Sequence, residues 1–475
     1  MSLLRAPLIG MLFTAMLTGA GCLSVPQEAH FTQLKSELAA KNPMITDLPR
    51  FVPGDAQQEH LVQDLLQDDL TADKAVRIAL TNNKRIQAQY ERLDLAAARR
   101  LASRLLKNPE AEASVKVLEE DSSKEVLEFT FEMDLLHLLL LPAKSRRGEA
   151  AYEATRADVA RAVQEVAFAT RMAFYRVQAA QMRLELSRMN LKAAEAAYEM
   201  ALRLREAGNI KELNLLQEQV LFEQVRLAMP SAELALVEAR EDLNVRLGLK
   251  EAKEWTISAS LPGPSDGSLS ETAIVKEALN NSLQLETVRR RIQEAAEQYG
   301  ITRVESILPR IHLGLEAERE EDGAWLAGPM LSVELPLFDF GQTDRPAAKA
   351  VLSRFQQEYA AMVVEISASA RTALQRLQVA RQRSRRYQEV IRPLQKRILE
   401  QTQLQYNAMQ LGVFQLLQAK QAEIREHNRS IDQLLNYWIA RTELEQIRSG
   451  LPLDGSRTQL TADMGPSTGR TDAGH

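Results

Sequence analysis

The feature that most constrains this chain is a pattern of long helices that recurs about 200 residues later. Residues 149–207 and residues 347–392 contain neither Gly nor Pro. At a rise of 1.5 Å per residue, the first of these runs predicts roughly 90 Å of continuous helix. No compact domain needs a helix of that length. We therefore expect each run either to bridge a distance or to pack lengthwise against helices like itself.

An apolar stripe recurs inside both runs at steps of three and four residues, which is the spacing of a coiled-coil seam. Each half also opens with a hydroxyl residue, Thr71 or Ser270, placed to cap a helix. The sequence therefore predicts two copies of one unit, 61–250 and 269–450, joined by a linker at 251–268. The matched stripe positions are Val163, Val166, Thr170, Ala173, Val177, Ala180 and Leu184, then Val363, Ile366, Ala370, Ala373, Leu377, Ala380 and Ser384.

A glycine near the end of each long helix predicts a tight helical hairpin. Gly208 and Gly412 are these residues, and a helical pattern resumes directly after each. Glycine at the first position beyond a helix adopts the left-handed conformation that turns the chain. Pro230 and Pro393 lie inside helical patterns, where we expect them to kink or restart the helix. An ordinary antiparallel coiled coil would fit these helices equally well.

Four short segments alternate apolar and polar residues with the period of a β-strand, namely 110–118, 126–135, 310–318 and 330–337. Each is close to the length of a tilted transmembrane strand, and an apolar face opposite a polar one is typical of a membrane barrel wall. Two hairpins are too few to close a barrel, so either several chains pool their strands or helices cover soluble sheets. The acids expected to face a water-filled lumen are Glu110, Glu112, Glu128, Glu132, Asp134, Glu316, Glu318 and Glu334.

The N-terminus predicts export. Residues 1–21 have a short apolar stretch that ends in small residues, as in a secretory signal peptide. Cys22, the only cysteine, directly follows Gly21 and is the predicted lipid-attachment site, because a lone exported thiol otherwise has no partner. Gly19 occupies a position where lipoprotein signals usually carry Leu, so ordinary cleavage near Ala20 is the alternative.

Composition argues against several other classes of protein. A formal net charge of -5 argues against a nucleic-acid binder, and a mean hydropathy of -0.27 argues against helical membrane spans. The six histidines lack metal-ligand spacing, and no catalytic or nucleotide-binding motif stands out. We therefore expect no enzyme activity, cofactor or structural metal. Residues 22–60 are expected to link a lipid anchor to the body, and residues 451–475 to form a disordered tail.

Taken together, these features resemble the TolC-type outer-membrane efflux family over about residues 60–450, and in particular its lipoprotein branch of metal- and drug-efflux channels. The order and duplication of the motifs carry the resemblance more than any single motif does. The motifs are Ala79-Leu80-Thr81-Asn82, Ala278-Leu279-Asn280-Asn281, Asn108-Pro109, Leu308-Pro309, Leu335-Pro-Leu-Phe-Asp-Phe-Gly341, and Val390-Ile-Arg-Pro393 followed by Tyr406 and Gly412.

The resemblance implies a mainly α fold with a small β part. Long helical hairpins would form a trimeric α-barrel, and four strands per chain would join a shared twelve-stranded transmembrane β-barrel. The implied location is the outer membrane of a Gram-negative bacterium, with the helices extending into the periplasm. The implied partners are two further copies, outer-membrane lipid, a periplasmic adaptor and an inner-membrane pump, with an RND-type pump favoured. Such a channel conducts small molecules or metal ions passively and selects by pore width and rings of charge.

Members of this family often carry an acidic residue just beyond the second hairpin tip, but Gln415-Leu-Leu-Gln418 contains none. The residues expected at the periplasmic entrance are therefore Glu206, Gly208, Asn209 and Glu212 from the first tip, and Gly412 and Gln415 from the second. Two alternatives remain open. One is a periplasmic structural or adaptor lipoprotein without a pore, and the other is the outer-membrane channel of a type I protein secretion system.

Overall fold

The structure, a computed structural model, describes residues 27–41, 45, 56–117, 125–250, 255–258, 260–265, 267, 269–319, 324–334 and 337–452. The predicted signal peptide, Cys22 and nearly all of the predicted tail lie outside these described residues. The chain divides into two compact units, each built from segments of both halves. The strand unit comprises Arg92–Tyr152, Glu294–Ala348 and the described residues up to Leu34. The helical unit comprises Lys35–Glu91, Glu153–Gln293 and the described residues from Lys349 onward.

The two halves contain the same elements in the same order, after two short N-terminal helices. Among the described residues, no helix is both long and apolar enough to cross a membrane. The first half contains α1 (Gln27–Lys41), α2 (Ala56–Gln67), α3 (Ala72–Asn82), α4 (Lys84–Ala102), β1 (Glu110–Val117), β2 (Glu125–Asp134), α5 (Leu135–Glu206) and α6 (Glu212–Leu247). The second contains α7 (Glu271–Asn281), α8 (Leu283–Glu305), β3 (Arg310–Arg319), β4 (Trp325–Glu334), α9 (Asp344–Arg386), a π-helical turn (Tyr387–Ile391), α10 (Arg392–Asn407) and α11 (Val413–Arg448).

One apolar core holds the helical unit together, and both halves contribute to it. The predicted seam lies within this core, since twelve of its fourteen residues are buried and the other two, Val166 and Val363, are half-buried. Tyr175 packs against Trp438 with ring centroids 4.9 Å apart. Arg171 and Glu445 form an ion pair at 2.8 Å. The seam is therefore an intrachain contact between α5, α9 and α11.

The start of each repeat is fastened to the end of its own last helix. The Asn82 side chain, at the end of α3, donates hydrogen bonds to the carbonyls of Leu247 (3.1 Å) and Gly248 (2.8 Å). In the second half, Asn281 donates to the Arg448 carbonyl at 2.8 Å. The matched closing glycines, Gly248 and Gly450, both have positive φ. These contacts give Ala79-Leu80-Thr81-Asn82 and its partner motif a structural role, because each asparagine satisfies carbonyls that a helix end leaves unpaired.

The two predicted N-caps are both at helix starts, but they differ in detail. Thr71 precedes α3, and its hydroxyl accepts a hydrogen bond from the Lys74 N–H at 3.2 Å. Ser270 precedes α7 without a side-chain capping bond, and its hydroxyl contacts Thr272 instead. Both residues therefore mark the position of a helix start, but only Thr71 satisfies one of its free N–H groups.

The prolines behave differently in the two halves. Helix α6 runs through Pro230 as one element, so the expected restart there was wrong. Pro230 is exposed, which allows water to satisfy the carbonyl that the proline leaves unpaired. Before Pro393, in contrast, the helix forms the π turn, in which the Arg392 N–H bonds to the Tyr387 carbonyl five residues earlier. The expected interruption at Pro393 is therefore confirmed, in the form of a π turn.

The strand unit is built on an antiparallel sheet with strand order β1-β2-β3-β4. A small core of Leu136, Leu140 and Ile301 lies beside it. Helix α5 begins at Leu135, so the Leu-rich re-entry of the first half is already helical. Arg146 holds α5 to α8 through a bidentate pair with Glu297 at 2.8 and 3.0 Å.

Three strands lie within a residue of their predicted limits, but β4 does not. It begins at Trp325 and ends at Glu334, whereas the pattern predicted 330–337. Gly328 and Pro329 break the alternation in its first half, although Pro329 still pairs with Leu315. β4 is an edge strand of this sheet, where a proline can be accommodated because one side of the strand needs no donor. Leu335 and Pro336 lie outside the described residues.

Candidate functional site: the strand sheet and the two hairpin tips

The register of the sheet places all eight predicted strand acids on one face. Directly paired residues share a face, and so do residues two apart along a strand. Glu110 pairs with Glu132, and Glu128 pairs with Glu318. The remaining acids follow in the same phase: Glu112, Asp134, Glu316 and Glu334. Alternation within single strands predicted this grouping, and the pairing across strands adds two acid pairs directly opposite each other.

Basic side chains on the same face partly neutralise these acids. Lys116 approaches Glu128 at 2.7 Å, and the Ser114 hydroxyl donates to the same carboxylate at 3.1 Å. Arg310 lies 3.5 Å from Glu334. His312 lies 3.8 Å from Glu132, which is a charged contact only when the imidazole is protonated. Sequence reasoning singled out the acids and overlooked these partners, although the same alternation places them in phase.

The opposite face of the sheet is apolar and exposed. Phe129 stacks against Trp325 with ring centroids 6.1 Å apart. Leu331 is 65% exposed and Leu315 is 60% exposed in the single chain. Further large apolar side chains that share this exposed face are Val115, Met133, Leu313 and Val333. A continuous apolar surface of this kind marks an interaction site for protein or membrane.

The edges of the sheet are open as well. In the part of the chain that the structure describes, β1 pairs only with β2, and β4 pairs only with β3. Each edge therefore presents a row of backbone N–H and C=O groups without strand partners. In water such an edge recruits another strand, and in lipid it must be paired.

The first hairpin tip closes as the sequence predicts. Helix α5 ends at Glu206, and Gly208 adopts φ +75°. The Asn209 N–H bonds to the Leu204 carbonyl at 2.8 Å, and the Gly208 N–H bonds to the Arg205 carbonyl at 2.9 Å. This pair of bonds is the Schellman motif, in which a left-handed residue satisfies the last helical carbonyls. Glu212 then opens α6 as its first residue, with Glu206 and Asn209 exposed beside it.

The second tip closes by the same motif, but with a different residue from the one predicted. Met409, not Gly412, takes the left-handed conformation, at φ +57°. The Gln410 N–H bonds to the Gln405 carbonyl and the Met409 N–H to the Tyr406 carbonyl, both at 2.9 Å. Gly412 has φ -81° and is the N-cap of α11, with Gln415 exposed on its first turn. Gly208 and Met409 lie 201 residues apart, and that count is the signal that would have identified Met409.

The two tips differ completely in charge. Residues 401–419, around the second tip, form a run of 19 residues without a single charged side chain. The matched window around the first tip, 200–218, contains six charged residues: Arg203, Arg205, Glu206, Lys211, Glu212 and Glu218. The predicted entrance acids Glu206 and Glu212 are therefore features of the first tip alone.

Glu218 is an unexpected feature of the first hairpin. Its side chain is only 4% exposed, and its Oε2 atom has no hydrogen-bond partner. Burial raises the pKa of this carboxyl, because the surroundings disfavour its charged form. The matched position of the second hairpin is Ala419. A lone Glu inside a helical pattern gives no sequence signal of this kind.

No arrangement in the described residues suggests a resident metal, because no group of three or more His, Cys, Asp or Glu side chains there could hold an ion. The proposed lipid site, Cys22, lies outside the described residues. The sites that the structure does describe are a two-faced sheet with open edges and a pair of unlike helical tips. These can bind and line, but they offer no grouping for catalysis.

Comparison with known proteins gives a consistent result. Residues 75–249 match the family model for "Outer membrane efflux protein". No curated protein sequence matches the chain. The structure is similar to CusC (TM-score 0.68, 15% identity, 81% of this chain and 92% of that chain). It is also similar to the CmeC outer membrane channel of Campylobacter jejuni (0.69, 16%, 81% and 87%) and to the open state of the MtrE outer membrane channel of Neisseria gonorrhoeae (0.63, 14%, 84% and 90%). At these identities the structural likeness concerns the fold, and the expected mainly helical fold with a small β part is confirmed.

Proposed function

Because this chain belongs to the outer membrane efflux protein family, we propose that it is the outer-membrane channel subunit of a tripartite efflux system. In this proposal three copies assemble, and their four strands each close a twelve-stranded barrel in the outer membrane. Their helical hairpins form an α-barrel in the periplasm. The channel itself does no chemical work and conducts passively.

The observation that carries the proposal is the sheet with two unlike faces and two open edges. If β1 of one copy pairs with β4 of the next, every backbone group at the edges is satisfied, as a membrane requires. The exposed apolar face, which includes Leu315, Leu331 and Trp325, then lies against lipid. The acidic face lines a water-filled lumen. A poreless periplasmic protein would leave both the apolar face and the edges uncovered.

Assembly in the membrane is tested on a Cys22→Ser variant, which removes the proposed lipid anchor. We expect this variant to remain in the outer membrane, to need detergent for extraction and to migrate as a trimer. It should also conduct in planar bilayers. A water-soluble monomer or dimer without conductance would support the poreless lipoprotein instead. Incorporation of labelled fatty acid into the parent chain but not into the variant tests the lipid anchor itself.

The lumen assignment is tested by charge reversal on the acidic face. Changing Glu128 and Glu132 together to Lys should lower the cation-to-anion permeability ratio, measured as a reversal potential across a salt gradient in planar bilayers. The opposite change, Lys116→Glu, should raise that ratio. The two variants change the same face in opposite directions, so unchanged reversal potentials in both would rule out the lumen assignment.

The proposed partners are a periplasmic adaptor and an inner-membrane pump, with an RND-type pump favoured, and the proposed cargo is small molecules or metal ions. A strain that lacks this gene should become more sensitive to some members of a panel of drugs and metal ions. Expression of the parent chain should restore resistance. Loss of a secreted protein from the medium, with unchanged sensitivity, would favour the type I secretion alternative.

A further inference from the structure

Among the described residues, Met409 is the only non-glycine residue with a positive φ, and it is also the most exposed large apolar side chain, at 95%. The left-handed conformation is unfavourable for a residue with a Cβ and is usually left to Gly or Asn. The first tip places Gly208 at the same step of the same capping motif. The fold therefore does not require methionine here, and two unfavourable features coincide on one side chain. Strain and exposure together indicate a function.

The surroundings of Met409 restrict what that function is. The 19 uncharged residues 401–419 include apolar side chains on both sides of the turn, such as the exposed Leu404. If symmetry-related copies bring the same segment together around an axis, each charge meets its own like charge at short range, which is unfavourable. A segment without charge avoids that repulsion, whereas the six charges around the first tip would not.

We propose that Met409 forms an apolar closure of the channel entrance, in which the Met409 side chains of neighbouring copies meet at the axis. This inference rests on the proposed function, because it needs several copies around one pore. An apolar constriction blocks ions by excluding water and needs no charged gate. It would take the place of the acidic residue that the sequence lacks beyond this tip. Opening then requires the second tips to separate, without breaking any ion pair between them.

Cross-linking tests this contact directly. A Met409→Cys chain, expressed in outer membranes and mildly oxidised, should give disulfide-linked dimers on a non-reducing gel. The matched control is Gly208→Cys, which carries the same capping motif at the first tip and has no atom within 4 Å of an added Cβ. It should give no dimer. The parent chain, whose only cysteine is Cys22, measures the background. Absence of dimers from Met409→Cys, or equal amounts from both variants, would overturn the inference.

Conductance provides a second, independent test. Met409→Gly and Met409→Asn both tolerate the left-handed turn but remove the apolar side chain. Each should increase the resting conductance of bilayer-inserted trimers by about threefold or more, while Met409→Leu should stay near the parent value. Because Met409→Gly also relieves the backbone strain, its melting temperature should equal or exceed that of the parent. A leak therefore cannot be attributed to poor folding.

The outcomes separate this inference from the proposed function. If the parent chain forms neither trimers nor pores, the proposed function itself fails. If the trimers conduct but Met409→Cys does not cross-link, only the closure is wrong. If Met409→Gly reduces efflux in cells without raising the resting conductance, Met409 contacts a partner protein instead, and the closure is again overturned.

Discussion

Helix α5 of the first half is continuous over 72 residues, whereas the matched stretch of the second half is divided into α9, a π turn and α10. Before the π turn, matched positions such as Leu184 and Ser384 lie 200 residues apart. After it, Gly208 and Met409 lie 201 residues apart. A π turn accommodates one extra residue within a helix. The second half therefore contains a one-residue insertion that the π turn absorbs, and the seams on both sides of it stay buried.

The largest expected effect comes from deleting one residue at matched places in the two halves. Deleting Met189, which is exposed in the continuous α5, rotates every later residue of that helix by about 100° relative to the seam. Buried Ala194 and Ala201 would leave the core, and we expect folded protein to be lost. Deleting Gln388 from the π turn, together with Pro393→Ala, should instead leave a continuous α-helix with its seam in register.

The measurement for both deletions is the yield of detergent-extracted trimer and its helical circular dichroism. The comparison between the halves is wrong if the Gln388 deletion is as harmful as the Met189 deletion. It is also wrong if both are tolerated, because the register of the first half would then not matter.

The next largest effect concerns the glycines that close the two repeats. A Cβ added at Gly450 would lie 1.9 Å from the Asn281 carbonyl oxygen, and one added at Gly248 would lie 2.7 Å from that of Asn82. Both residues also have positive φ, so alanine carries a conformational cost at each. We expect Gly450→Ala to destabilise by about 3 kcal/mol or more, and Gly248→Ala by about 2 kcal/mol. Thermal unfolding in detergent, followed by circular dichroism, measures both.

Gly208→Ala is the control for the conformational part of that cost. Gly208 has a similar positive φ, but a Cβ there would meet nothing within 4 Å. Its cost should therefore be about 1 kcal/mol, from backbone conformation alone. If Gly208→Ala proves as harmful as Gly450→Ala, close packing against Asn281 does not explain the closing glycine.

The features that were predictable from sequence are those that repeat with a period. The seam from Val163 to Leu184 and its copy recur at helical spacing, and the strand acids recur every second residue, so burial and face follow from counting. The strand β4 was placed too late because Gly328 and Pro329 interrupt that period. Its pairing with β3, which no local pattern encodes, extends it back to Trp325.

The single-residue features were harder to predict for a physical reason. Propensity assigns the left-handed turn to Gly412, because glycine adopts it without strain, yet the structure uses Met409. Glu218 looks like one of many helix-surface acids, and only the packing of its hairpin shows that it is buried. Strained or buried polar residues go against local preference, so local rules do not identify them. The repeat does help, since the same count that matches Gly208 to Met409 also matches Glu218 to Ala419.

The smallest expected effect concerns that last pair. Because burial raises the pKa of the Glu218 carboxyl, the folded chain binds this proton more tightly than the unfolded chain does. The charged form therefore destabilises the fold at neutral pH, and stability should rise as the pH falls through the folded pKa. Glu218→Gln should stabilise the protein by roughly 1 kcal/mol at pH 7.5, a shift of about 2 °C in melting temperature. That gain should shrink as the pH is lowered, because the parent carboxyl then becomes neutral as well.

Glu223→Gln, an exposed position on the same helix, is the matched control and should shift the melting temperature little at any pH. The reverse exchange, Ala419→Glu, places a carboxyl on the second hairpin at the equivalent position. If packing there resembles that of the first hairpin, this variant should lose stability near neutral pH and regain part of it in acid. A pH-independent loss would show instead that the two hairpins share their capping motif but not the packing behind it. The duplication would then describe the backbone of the tips and not their interiors.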